Sequence, residues 1–108
     1  MKQIQAYIKK HKLNDVTRTL SKIQGITGLS VLNRLGHGRG WATDTISEQD
    51  SWTGIKIEVF CNDDIAEEVV STIEQAAHTG LKGDGKIYIS SIEQAVRISS
   101  GERGEEAV

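Results

Sequence analysis

Two glycine-rich strings hold the residues best suited to chemistry. Residues 80–86 read Gly-Leu-Lys-Gly-Asp-Gly-Lys, which meets the first half of the phosphate-loop spacing: a glycine, four residues, then glycine and lysine. The continuation departs from that loop. Ile87 stands where a magnesium-binding serine or threonine belongs, and the string enters a strand, whereas a phosphate loop opens a helix whose amino end faces the anion. On spacing alone a tight turn is the favoured reading, because Asp-Gly is a hairpin signal. A phosphate can still be held there, since successive glycine amides form a concave anion nest with Lys86 as a point charge. The second string, Gly36 to Gly40, sets Arg39 among glycines whose bare backbones let a ligand approach closely, although loop flexibility explains it equally well.

Other chemistry is poorly supported. His11, His37 and His78 lack metal-ligand spacing, and Cys61 lies apart from all three, so no metal site is expected. His78 is better placed for a contact with the end of a helix dipole. No serine-histidine or cysteine-histidine signature marks a nucleophile, and no residue is assigned a catalytic role. Cys61 reads as a small core residue. Trp41 and Trp52 are large aromatics able to anchor a partner or to fold back onto the protein.

These strings need a scaffold, and 108 residues allow one domain with one core. Thirteen basic against fifteen acidic residues, a formal charge of −2, argue against a nucleic-acid footprint. No apolar run approaches the roughly 20 residues of a membrane span, and the first residues lack the apolar stretch of a signal peptide. One cysteine cannot close an internal disulfide, which agrees with a reducing, cytoplasmic compartment.

Ile4, Ala6 and Ile8 alternate with polar neighbours, as in a half-buried strand. Val16, Leu20 and Ile23 then recur at helical spacing, with Asn14 or Asp15 as cap and Gly25 as terminator. A second strand spans Leu29 to Leu35. The stretch from Gly36 to Gly54 has no period and reads as a long loop, of a length that is usually functional. Ile55, Ile57, Val59 and Cys61 mark a third strand, and Asp63 or Asp64 caps a helix bearing Ile65, Val69 and Ile73 that ends by Gly80. Ile87 to Ser90 is a fourth strand, Val96 and Ile98 allow a short extra one, and the polar tail 99–108 is expected to be mobile. The order is that of an α+β, ferredoxin-like βαββαβ unit: an antiparallel sheet with both helices on one face. Strand parity places Tyr7, Leu32, Phe60 and Tyr88 on the other face, which suggests self-association.

The placed strings resemble the PII family of signal-transduction proteins over nearly the whole chain. The resemblance is carried by Lys12 and Leu13 with Asp15 and Val16, and by the strings Gly25–Gly28, Gly36–Arg39, Lys56–Glu58 and Asp63–Ile65. Thr79 and Gly80, Gly83–Ile87, Val96–Ile98, and Gly101 with Glu102 complete it. It implies a homotrimer of 1–108 domains with an adenine nucleotide, ATP, ADP or AMP, in the clefts between subunits. Magnesium can accompany ATP. The implied nucleotide residues are Gly28, Ser30, Gly38, Arg39, Phe60, Gly83, Asp84, Gly85, Lys86 and Arg97, the last reaching in from a neighbouring chain. The loop 36–54 would enter a target protein, with Trp41, Asp44, Glu48, Asp50 and Trp52 as partner-binding residues.

Departures from the family narrow the expectation. Gly40 replaces the glutamine that typically follows the loop-base arginine, and Gly54 replaces a lysine that pairs with 2-oxoglutarate, so sensing of that metabolite is not expected. Ser99 replaces a second arginine of the last strand, and the loop has no tyrosine to be uridylylated. The expectation is a cytoplasmic nucleotide sensor that controls a partner, foremost a membrane transporter that recruits it to the membrane without direct insertion. The alternatives are a weak ATP-hydrolysing enzyme and a passive trimeric adaptor with a vestigial cleft.

Overall fold

The computed structural model describes residues 1–36 and 52–108. The strands are β1 (Lys2–Lys9), β2 (Leu29–Gly36), β3 (Trp52–Cys61) and β4 (Lys86–Ser91), and the helices are α1 (Leu13–Leu20) and α2 (Asp63–Ala77). All neighbouring strands are antiparallel, in the order β2-β3-β1-β4. This is the expected ferredoxin-like sheet. The inward residues of the central strands, Ile4, Ala6, Ile8, Ile55, Ile57, Val59 and Cys61, form one buried cluster with Val16, Leu20, Val69 and Ile73 of the helices. Burying such aliphatic side chains is the main favourable contribution to folding, roughly 1.5–3 kcal/mol for each large one. The edge strands are less covered. Val31 and Ile89, on the helix side of β2 and β4, remain 44% and 52% exposed.

The register sets the opposite face. Tyr7 lies opposite Lys56 on β3 and Lys86 on β4. Its ring meets Tyr88 edge-on, with centroids 5.8 Å apart, and Arg34 stacks over it at 4.6 Å. Lys56 pairs with Glu58 at 2.7 Å, and the Glu58 bond raises the lysine pKa. Leu32, Phe60 and Tyr88 stay 46%, 44% and 51% exposed on this face. Strand parity predicts this placement for Tyr7, Leu32, Phe60 and Tyr88.

Several local expectations change. A 3-10 turn over Lys10–Lys12 leads into α1, so its cap position falls on Lys12, and neither Asn14 nor Asp15 caps it. Regular helix stops at Leu20; Ile23 is still buried, by way of turns that end at Gly25 with φ +98°. Asn62, not Asp63 or Asp64, precedes α2, and Asp63 instead accepts from the Met1 amino group at 2.7 Å. The extra strand around Val96 and Ile98 shrinks to a single bridge, Val96 to Arg103. Beyond it the chain folds back into a 3-10 turn, Glu105–Ala107. Among the described residues no helix is long and apolar enough to cross a membrane.

Candidate functional site

The turn between α2 and β4 is built around one carboxylate. Asp84 accepts from the Thr79 amide at 2.8 Å, the Gly80 amide at 3.2 Å and the Thr79 hydroxyl, and it pairs with Lys9 at 3.1 Å. Thr79 Oγ1 in turn accepts from Lys9 at 3.2 Å and from the Leu81 amide at 3.1 Å. The Thr79 hydroxyl, its amide and Lys9 hold the Asp84 carboxyl far below the ordinary carboxylate range. Asp84 is thus an anion committed to its own turn. Its work is to shape the loop, and the exposed cations of the string are Lys82 and Lys86.

Gly83 and Gly85 have φ of +84° and +102°, a region that glycine enters freely and other residues only under strain. Gly85 lies against the β1 backbone, where a Cβ would stand 2.7 Å from the Tyr7 carbonyl carbon. The turn borders a cavity of about 380 Å³ lined by Tyr7, Glu74, His78, Asp84, Gly85 and Lys86. His78 follows the last residue of α2, and its Nδ1 is 3.6 Å from Asp84.

A second group lines a groove of about 660 Å³ that includes Lys2, Gly28, Ser30, Glu58, Phe60 and Val96. Three of the anticipated residues, Gly28, Ser30 and Phe60, therefore share one cavity. Arg97, next in sequence to Val96, turns towards its own tail: Nη2 donates to the Glu106 carbonyl at 3.2 Å and Nε lies 3.9 Å from Glu102.

The two groups do not meet within one chain. Ser30 is on β2 and Lys86 on β4, the two edges of the sheet, so three strand spacings, about 14 Å, separate them. Gly38, Arg39, Trp41, Asp44, Glu48 and Asp50 lie outside the described residues, as does the Trp52 side chain; the Trp52 backbone pairs with Gly36. Among the described residues no cluster of His, Cys, Asp and Glu is arranged for a metal. Cys61 is fully buried, and burial pushes its thiol pKa up, which fits a core residue. The partnership of Lys9 and Thr79 with Asp84 leaves no signal in the sequence. Lys9 sits at the end of a strand 70 residues before Thr79, so no local pattern links them.

The sequence profile of the family described as nitrogen regulatory protein P-II matches residues 1–102. Among curated proteins, the chain is 39% identical to the nitrogen regulatory protein P-II of Azospirillum brasilense over 113 aligned positions, covering all of both chains. It is 42% identical to the protein of that name from Cereibacter sphaeroides, again over the full length of both. Among solved structures it is similar to Arabidopsis thaliana PII bound to citrate, with a TM-score of 0.83 and 31% identity, covering 99% of this chain and 91% of that one.

Proposed function

The chain belongs to the nitrogen regulatory protein P-II family, a family of signal-transduction regulators that bind small effectors and act on partner proteins, and from that premise we propose that it is an adenine-nucleotide sensor working as a homotrimer. Its nucleotide lies in a cleft between two copies. Gly28, Ser30 and Phe60 of one copy face Gly38, Arg39 and the Gly83 to Lys86 turn of the next, and Arg97, expected to reach in alone from a neighbour, joins the Gly28, Ser30 and Phe60 side because Val96 lines their groove. The observation that carries this reading is the placement of the two groups on opposite edges of one sheet, since two adjoining copies can bring together what a single chain keeps apart. The open face supports association as well, because Leu32, Phe60 and Tyr88 are each about half exposed on it and would be covered by an adjoining copy.

Lys86 supplies a cation and the adjoining glycines supply amide donors, a combination suited to phosphate oxygens. The segment 36–54 is the output, and Trp41 and Trp52 are its large anchors for a partner, foremost a membrane transporter in a cytoplasmic setting. A nucleotide changes that output only by binding one state of the segment more tightly than the other. Calorimetry with ATP, ADP and AMP tests the reading: saturable binding of at least one supports it, and no heat with any of the three removes it. A single-turnover assay with magnesium checks for hydrolysis, and sustained turnover would make the chain an enzyme as well.

A further inference from the structure

Beyond the last strand the chain does not trail away. It turns back at Gly101 and Gly104, whose φ values are +76° and +85°. The fold-back is held by the Gly101 amide on the Arg97 carbonyl at 2.8 Å, the Arg97 amide on the Glu102 carbonyl at 2.9 Å and the Gly104 amide on the Ala95 carbonyl at 3.0 Å. Asn62 adds a bond to the Glu105 carbonyl at 3.3 Å, while its own Oδ1 is buried without a partner among the described residues. The segment reaches the groove itself, because Ala107 and Val108 line it together with Gly28, Ser30 and Phe60.

The charges in this segment matter. Residues 102–106 contain Glu102, Glu105 and Glu106 against Arg103, a net negative stretch. Two of its oxygen groups lie on the Arg97 guanidinium: the Glu106 carbonyl at 3.2 Å and the Glu102 carboxylate at 3.9 Å. An anion and a carbonyl thus occupy Arg97, the cation that follows the groove residue Val96 in the chain, while Lys2 lines the groove itself. Arg97 and Glu102 are each 48% exposed, and exposed pairs of this kind hold weakly. Few buried apolar contacts and exposed backbone bonds are the marks of a segment that opens at low cost.

We propose that residues 101–108 are a strap whose end, Ala107 and Val108, borders the groove and whose Glu102 and Glu106 occupy Arg97, so that the phosphate of an incoming ligand and Glu102 compete for one guanidinium. The strap rests on the nucleotide reading above and adds regulation to it: a bound anion releases the strap, and a tightened strap excludes the anion. Gly104 is the hinge. A Cβ there would meet nothing within 4 Å, so a single methyl group at this position acts through backbone strain alone.

The test uses the full chain with E102Q and G104A, reading ATP affinity by calorimetry and amide exchange at Gly104 by NMR. Both variants should bind ATP about two- to fivefold more tightly, the scale of a half-exposed ion pair, and bound ATP should speed Gly104 exchange in the unaltered chain. Equal affinity in all three proteins, or Gly104 exchange unchanged by bound ATP, overturns the strap. If none of the three binds ATP, the nucleotide reading fails, and inorganic tripolyphosphate then decides the strap separately. Faster Gly104 exchange with tripolyphosphate sustains the competition for Arg97, and no change removes it.

Discussion

The backbone of Gly85 lies directly against the carbonyl of Tyr7, so close that the smallest side chain would collide with it. The turn that presents Lys86 is therefore braced on the central strand β1. Gly85→Ala incurs both the left-handed backbone penalty, about 1–3 kcal/mol, and a displacement of β1. Gly101→Ala, at φ +76° in open space, incurs the first alone. Thermal unfolding should show the Gly85 variant lower by about 5 °C or more than the Gly101 variant, given roughly 4–8 °C per kcal/mol in a domain of this size. Equal midpoints would mean that β1 yields freely.

Asp84 makes acid stability the readout for the same turn. Its folded pKa is lowered, so its contribution is fully present above the unfolded value near about 3.9 and is lost as pH falls through the folded value. Asp84→Asn lacks that contribution at every pH. The expected result is a lower midpoint for the variant at neutral pH and a gap that narrows below about pH 4. A gap that is constant down to about pH 2 would contradict the ionic role of Asp84.

Lys86→Ala and Arg97→Ala should each weaken nucleotide binding more than tenfold. A charge-assisted bond to phosphate contributes roughly 1.5–3 kcal/mol, and about 1.4 kcal/mol is a factor of ten. Unchanged affinity in both variants would remove the site.

Association is tested on the open face. Light scattering of the unaltered chain should report a trimer, and Leu32→Glu should give smaller species at micromolar concentration, because an unpaired carboxylate in a closed interface costs several kcal/mol. A trimer that tolerates Leu32→Glu would place the contact elsewhere.

A dicarboxylate effector needs a cation to offset its desolvation. Gly40 and Gly54 provide no side chain for that task. An ATP titration with and without saturating 2-oxoglutarate and magnesium should give the same affinity; a tenfold tightening, about 1.4 kcal/mol of coupling, would overturn this.

What the sequence reveals about this molecule is what recurs over short distances. Ile4, Ala6 and Ile8 declare a strand by their alternation, Val69 and Ile73 a helix by their spacing, and together they fix which face is buried. The glycines of the Gly83 to Lys86 turn are legible because their positive φ values exclude most other residues. The partnership of Lys9 with Asp84 is not legible, because it depends on which strand lies beside which. The same holds for the separation of Ser30 and Lys86 onto opposite edges, a property of strand order that no local period encodes. The polarity of the tail suggests a lack of packing, yet polar chains can still fold back through backbone hydrogen bonds, as Gly101 and Gly104 do.

The last rung of the β2–β3 ladder joins Gly36 to Trp52, and the rungs below it run without interruption to Leu29 and Val59. Side chains alternate faces along both strands, so a one-residue slip would turn the core face to solvent, and the ladder locks the register against it. The buried cluster of the described residues is complete without a contribution from the segment between the two rung residues. The register of the scaffold is thus set by the paired rungs themselves, and a sequence change confined to the segment between Gly36 and Trp52 leaves the folding problem of the strands solved.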